Sequence, residues 1–450
     1  MRPLAATVIG WVCLVVAVPA VTYMLLHHGA STVAAGVVLC LALVVVPRPD
    51  LVLLALLGIV TLVAVVDPDG GALPVLVAAG VGLVLFRAVL TGFRQRVHLA
   101  LIVALAFVVT ASFLLPQVTL LTDRSWSELA SLLLGLGLLA ASAAAPPGPR
   151  PVACLVTGSG ACAAGYLLVR GEYADDRLTG LGLNPNYLGA ALALALVAAV
   201  GLARLDRSWV WLLPALPCAV AILQTRSRGA FLMVAAGLAC ILLVGRPLRH
   251  KVLISLTILA AALALPGSLD AVGENLTGNR TSTELTANTE VRKQAALLAV
   301  RVALDHPFRG IGYGGFAGYA QSSSGLGINI NTHNDYLRLA AEAGLGTLAL
   351  LVALLWLGLG RRYAEDRAIL QSLGVAYSVG LLFANTLGSL VVTAPFWVSL
   401  GCLLASRQGR RTPSSPAPAL TEEPGIPTAR QLPAGAVVHP PAGPGVTVDG

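Results

Sequence analysis

Four polar clusters interrupt an otherwise apolar chain of 450 residues, and each holds side chains that could do chemistry. The sharpest is Asn331-Thr332-His333-Asn334-Asp335-Tyr336, followed by Arg338, Glu342 and Gly344. Thr332 with Asp335 approximates a capping box, which puts His333 in the first turn of a helix. A helix N-terminus disfavours a protonated imidazole and favours a nearby anion. A neutral His333 beside an anionic leaving group would then have the setting of a general base. The plainer reading is a histidine hydrogen-bonded at a membrane surface.

Two further clusters carry arginines. In Gln224-Thr225-Arg226-Ser227-Arg228-Gly229-Ala230, Ser227 can cap the apolar run that follows. Arginine beside a helix start suits a phosphate, because its planar fork donates in pairs next to unpaired N–H groups. An arginine reaching for lipid headgroups is the plainer reading. Arg177 precedes Gly182-Leu183-Asn184-Pro185-Asn186-Tyr187, where Asn184-Pro185 predicts a turn and Asn186 can cap the next helix. Arg177 reads either as a site residue or as a solvated loop cation. In the fourth cluster, Thr289 is a candidate cap for a helix with Arg292, Lys293 and apolar positions Val291, Ala295, Leu298, Ala299 and Val302. Pro307 and the glycines from Gly310 to Gly315 end it, and its apolar side should lie across a bundle. That glycine run follows a helix and not a strand, so it predicts tight turns and no nucleotide cradle. The other histidines (His27, His28, His98, His250, His306, His439) fall at span ends, the Pro307 corner or the tail, and read as structural or solvated.

The elements that must position these clusters are membrane spans. Hydrophobic residues make up 57% of the chain and charged residues 11%, against about a quarter charged in soluble domains. The mean hydropathy of +0.83 extends over the whole length, which a single anchor cannot explain. Candidate spans run near 4–26, 30–46, 51–66, 72–90, 97–115, 128–145, 151–169, 187–204, 209–224, 229–245, 251–267, 339–360, 369–386 and 388–405. The predicted fold is all-α: a polytopic transmembrane bundle of about 12–14 spans, with one long extracytoplasmic loop containing short helices. Residues 1–267 form the bundle with about 11 spans, 268–335 the loop, 336–405 the last spans, and 406–450 a proline-rich, disordered cytoplasmic tail.

A formal charge of +8 does not imply nucleic acid, because only Lys251 and Lys293 are lysines and the arginines fall mostly in short loops. With the N-terminus inside, alternate loops collect Arg48, Arg94, Arg96, Arg150, Arg204, Arg207, Arg361, Arg362 and Arg367, while Asp67, Asp69, Asp123, Glu172 and Asp176 fall outside. This asymmetry predicts cytoplasmic termini and an outer long loop. All seven cysteines lie in apolar runs without ligand spacing, and read as small packing residues.

In this order, the clusters resemble the O-antigen ligase and polymerase family of polytopic membrane glycosyltransferases. The matching residues are Arg177 with Gly182 to Tyr187, Ser227-Arg228-Gly229-Ala230, Arg292, His306-Pro307, Gly310-Ile311-Gly312, His333-Asn334-Asp335-Tyr336-Leu337 and Glu342-Ala343-Gly344. The resemblance covers roughly residues 175–360. It implies an enzyme of the bacterial cell membrane that takes a glycan from a polyprenyl-pyrophosphate carrier on the outer face and joins it to an acceptor hydroxyl in cell-surface polysaccharide assembly. Neither a cofactor nor an obligatory metal is implied. His333 would be the base, and Arg228, Arg177 and Arg292 would hold the pyrophosphate, with inversion at the anomeric carbon. Asn186, Arg226, Asn334, Asp335, Arg338 and Glu342 would support them, Asp335 and Glu342 through helix capping and arginine pairing. The partners are then the lipid-linked donor, a glycan or glycolipid acceptor and membrane lipids. The short loop and high span count tilt towards a polymerase or a ligase-like enzyme of another glycan pathway.

The main rival is a transporter or flippase for lipid-linked saccharides, which would place charges at mid-membrane and break helices in paired halves. A non-catalytic scaffold leaves the outward arginines and His333 without a purpose. The enzyme reading makes a spatial demand: Arg177, Arg228, Arg292 and His333 should line one outer cavity.

Overall fold

The computed structural model describes residues 44, 47–66, 72–92, 96–118, 126–174, 176–243, 282–322 and 325–406. The predicted spans 4–26 and 251–267, nearly all of 30–46, and the tail lie outside the described residues.

The long apolar runs form helices: α1 (Pro49–Val66), α2 (Ala72–Thr91), α3 (Arg96–Leu114), α4 (Trp126–Ala144), α5 (Pro149–Arg170) and α6 (Pro185–Asp206). Of these, α2 to α6 are long and apolar enough to cross a membrane. A 3-10 turn (Trp209–Leu212) then leads to α7 (Ala215–Thr225) and α8 (Arg228–Leu242). After them come α9 (Ser282–Asp305), α10 (Phe316–Gln321), α11 (Asp335–Ala343), α12 (Leu345–Leu359), α13 (Glu365–Gly380) and α14 (Leu390–Ala405). The result is an all-α multi-pass membrane bundle. A short hairpin, β1 (Glu172–Ala174) with β2 (Arg177–Thr179), is the one sheet among the described residues.

Lipid offers no hydrophobic force between helices, so close packing of small residues holds them together. The buried side of α6 is accordingly rich in alanine, including Ala190, Ala193, Ala195, Ala198 and Ala199. At Gly189 a Cβ would come within 2.9 Å of Ser227 Cβ and 3.0 Å of Ala230 Cβ, so only glycine lets α6 approach the start of α8 this closely. The opposite kind of surface appears on α3, where Val103, Phe107 and Leu114 are exposed at helical spacing.

Four predicted boundaries move. The 209–224 span is broken before α7, where Pro214 is the N-cap. The 339–360 span is two helices, α11 and α12, joined at Gly344 with φ 88. There the Phe308 carbonyl packs so closely that a Cβ would sit 2.5 Å from its oxygen. The 369–386 span ends early at Gly380, and residues 381–389 form an irregular connection to α14. Helix α9 begins at Ser282, upstream of Thr289, so Thr289 lies inside the helix and is not its cap. Helix-favouring residues such as Glu284, Leu285 and Ala287 extend it backwards past the expected cap. Its predicted apolar face does pack: Ala295, Leu298, Ala299 and Val302 form a small separate core with Ile311, Phe316, Ala320 and Ala341.

Candidate functional site

Each wall of the site is set by a local turn. The hairpin aligns Ala174 with Arg177 and turns that arginine towards the bundle. Arg177 Nε donates to the Thr225 carbonyl at 2.9 Å, and Nη2 donates to Asn186 Oδ1 at 2.8 Å. The cap of α6 is therefore Asn184, whose Oδ1 accepts the N–H groups of Asn186 and Tyr187, both at 3.0 Å. Asn186 does not cap the helix as expected; its amide orients Arg177 instead, because the Asn184-Pro185 turn already satisfies the first helical donors.

Between α7 and α8 the chain turns on two residues. Arg226 is left-handed at φ 49, and Ser227 caps α8, its Oγ accepting the Ala230 N–H at 3.4 Å. The left-handed turn directs Arg226 inward, and its Nη1 is buried with no hydrogen-bond partner among the described residues. Arg228 stands exposed on the first turn of α8.

His333 does not sit in a first helical turn. The cap of α11 is Asn334, whose Oδ1 accepts the Leu337 N–H at 3.0 Å, and His333 precedes it in the left-handed region at φ 51. Tertiary contacts impose this. Asp335 N donates to the Leu381 carbonyl at 2.8 Å, and Asp335 Oδ2 accepts the N–H groups of Thr386 at 2.6 Å and Leu387 at 3.0 Å. The Thr332 hydroxyl donates to Asn385 Oδ1 at 3.1 Å, and the Tyr187 hydroxyl donates to the Asn385 carbonyl. Asp335 thus caps the 381–389 connection and not its own helix, and Asn385 ties that connection to both α6 and the His333 turn. Strain held by its surroundings in this way is a feature of functional sites. Burial, and after it the charge of the nearby Arg292 guanidinium, together push the His333 imidazole down to about 4, so the ring is neutral at pH 7.

These walls enclose one cavity of about 630 Å³. Arg177, Asn186, Arg226, Arg228, Arg292, His333 and Asn334 all line it, so the four residues of the spatial demand share one space. Lys293 of the fourth cluster lines it too, as do Tyr377, Phe383 and Thr386, which were not singled out from the sequence. The missed signal was Asn385-Thr386, a polar pair inside an apolar stretch. No carboxylate is among the described lining residues, and the starts of α6, α8 and α11 all reach the cavity. Helix N-termini and arginines together make a site for an anion.

Arg338 and Glu342 are not in the cavity. Arg338, 3% exposed, lies between Glu342 at 3.0 Å and Glu128 of α4, with its guanidinium 5.3 Å from the Tyr313 ring centroid. Glu342 also accepts the N–H groups of Gly314 and Phe316, both at 2.9 Å, and so holds the glycine turn against α11. Ser112 Oγ donates to the Glu342 carbonyl at 2.6 Å and locks the same turn to α3. The predicted inner-loop arginines gather at the far ends of the helices: Arg204 donates to the Ile241 carbonyl, and Arg150 pairs with Asp206 at 2.8 Å.

Fold and site together define a multi-pass membrane protein with a cationic cavity at one end of its bundle. Residues 213–352 match the family model of the O-antigen ligases, which bears out the resemblance read from the motifs. The matched stretch runs from α7 into α12 and takes in Arg228, Arg292 and His333, while Arg177 and Asn186 lie upstream of it. Comparison with curated proteins gives no match.

Proposed function

We propose that this protein is a membrane glycosyltransferase, a ligase or polymerase. It transfers a glycan from a polyprenyl-pyrophosphate carrier to an acceptor hydroxyl on the outer face of a bacterial cell membrane. The observation that carries this reading is the cavity: five cationic side chains, three helix starts and a neutral histidine, with no carboxylate among its described lining residues.

In the proposed reaction the pyrophosphate lies against Arg177, Arg228 and Arg292. His333 accepts the proton of the acceptor hydroxyl, whose oxygen attacks the anomeric carbon from the face opposite the carrier. The bond from that carbon to the pyrophosphate oxygen breaks, and the electron pair leaves with the carrier. Guanidinium groups fixed in advance stabilise that developing charge best in a site shielded from water. Asn186 and Arg226 steady the arginine wall. Asn334 and Asp335 hold the His333 turn, and Arg338 with Glu342 supports it from behind. The termini lie in the cytoplasm and the 268–335 segment outside.

The test is His333→Ala in the native host, following protein level, surface glycan and lipid-linked precursor together. The expected result is normal protein, lost surface glycan and carrier-linked glycan accumulating outside. Normal transfer would end the enzyme reading; precursor trapped inside would favour the flippase.

A further inference from the structure

Helix α9 has two apolar faces, and only one of them is explained by the protein core. Ala295, Leu298, Ala299 and Val302 pack inward. On the other side Leu297, Val300 and Leu304 recur at helical spacing and are exposed, Leu304 at 67%. Just beyond the helix end, Phe308 is 86% exposed. The first half of the same side carries Glu290, Lys293 and Gln294 instead, and Lys293 reaches the cavity.

The apolar half is the end tied to a membrane helix. His306 Nδ1 lies 3.1 Å from Gln117 Oε1, and Ser112 Oγ of α3 lies 2.9 Å from the Arg309 carbonyl oxygen. Helix α3 is long and apolar enough to span, and its exposed stripe of Val103, Phe107 and Leu114 ends at this corner, next to exposed Leu115. The exposed apolar end of α9 is therefore tied to the end of a helix long and apolar enough to span, at the same end as exposed Leu114 and Leu115.

We infer that the C-terminal half of α9 lies in the outer leaflet, with Leu297, Val300, Leu304 and Phe308 in contact with lipid as a continuation of the α3 stripe. Exposed Arg301 and Arg309 flank the apolar residues and reach the headgroups, their stems lying along the same surface. The helix then rises from the membrane towards its charged half, which holds Arg292 and Lys293 at headgroup level on the cavity wall. The inference needs α3 to span the membrane, and its choice of leaflet rests on the proposed outward placement of the 268–335 segment. It does not depend on the transfer reaction.

The test places p-benzoylphenylalanine at Leu297 or Leu304 of the full chain, in vesicles of phosphatidylethanolamine and phosphatidylglycerol, with light-induced adducts read by mass. Phe107 is the lipid-facing reference and Gln294 the water-facing one. Lipid adducts at Leu297 and Leu304 in yields close to that at Phe107, and several times that at Gln294, are expected. Scoring the two positions separately keeps the test decisive if one variant fails to insert. Yields no higher than at Gln294 would overturn the inference, and so would cross-links to a second copy of the chain in place of lipid.

Discussion

The cavity and the ionic cluster behind α11 are both built on arginine, and they use it in opposite ways. Arg338 is buried between two glutamates and over an aromatic ring, so its charge is consumed by the fold. The cavity arginines face a space whose described lining holds no carboxylate, and Arg177 is steadied by a carbonyl and an amide. A buried charge pair contributes little net stability but is costly to break, whereas arginines that line an open cavity can present their guanidinium groups to a ligand. The two regions also meet: α11 carries Arg338 and Glu342 on one side and begins at the His333 turn on the other.

Substitutions should separate these uses. The largest effect is expected for Arg338→Ala, which removes the guanidinium that neutralises buried Glu342 and pairs with Glu128. A stability loss of about 3–5 kcal/mol should appear as lost protein in the membrane and a lowered unfolding temperature. Arg228→Ala should leave the amount and thermal stability of the protein unchanged while transfer slows ~100- to 1,000-fold, the scale for removing one preorganised donor. If Arg228→Ala instead unfolds the protein, the contrast between the regions fails. Asp335→Ala should fall between them, because it leaves the Thr386 and Leu387 N–H groups without their acceptor. A loss of about 1–3 kcal/mol is expected, with transfer reduced as the His333 turn loosens. Reduced stability with normal transfer would show that the 381–389 connection does not position His333.

A separate effect is a dependence on pH. Because the folded His333 titrates near 4 and an unfolded histidine near its ordinary 6.5, the unfolded chain binds more protons between those values. The contribution is present above about 6.5 and is lost as pH falls towards 4. His333→Asn should flatten stability across that window. For the same reason, the acid limb of kcat/KM should lie near 4, and a limb at 6.5 would contradict the buried, neutral imidazole.

The sequence made the bundle legible because long apolar runs have few alternatives in lipid. It also made the main site residues legible, since Arg177, Arg228, Arg292 and His333 are costly to place at a membrane surface without a reason. It did not reveal the His333 backbone, because φ 51 is imposed by contacts with residues 381–389, far away in sequence. Thr332 and Asp335 carried a local capping signal, but the Asp335 carboxylate is taken by N–H groups of the 381–389 connection and the Thr332 hydroxyl by Asn385 and the Asn334 backbone, which leaves the cap to Asn334. The 381–389 connection itself was hidden within apolar runs. Only Asn385-Thr386 marked it, and hydropathy averages over so short a signal.

The most direct test of the account is His333→Asn in purified protein reconstituted with a lipid-linked glycan donor. Asparagine tolerates the left-handed backbone well, so the fold and donor binding should be retained and thermal stability should not fall. Transfer should drop by ~100- to 10,000-fold, the range for removing a general base. Transfer at the unsubstituted rate, with binding intact, would contradict the assignment of His333 as the base.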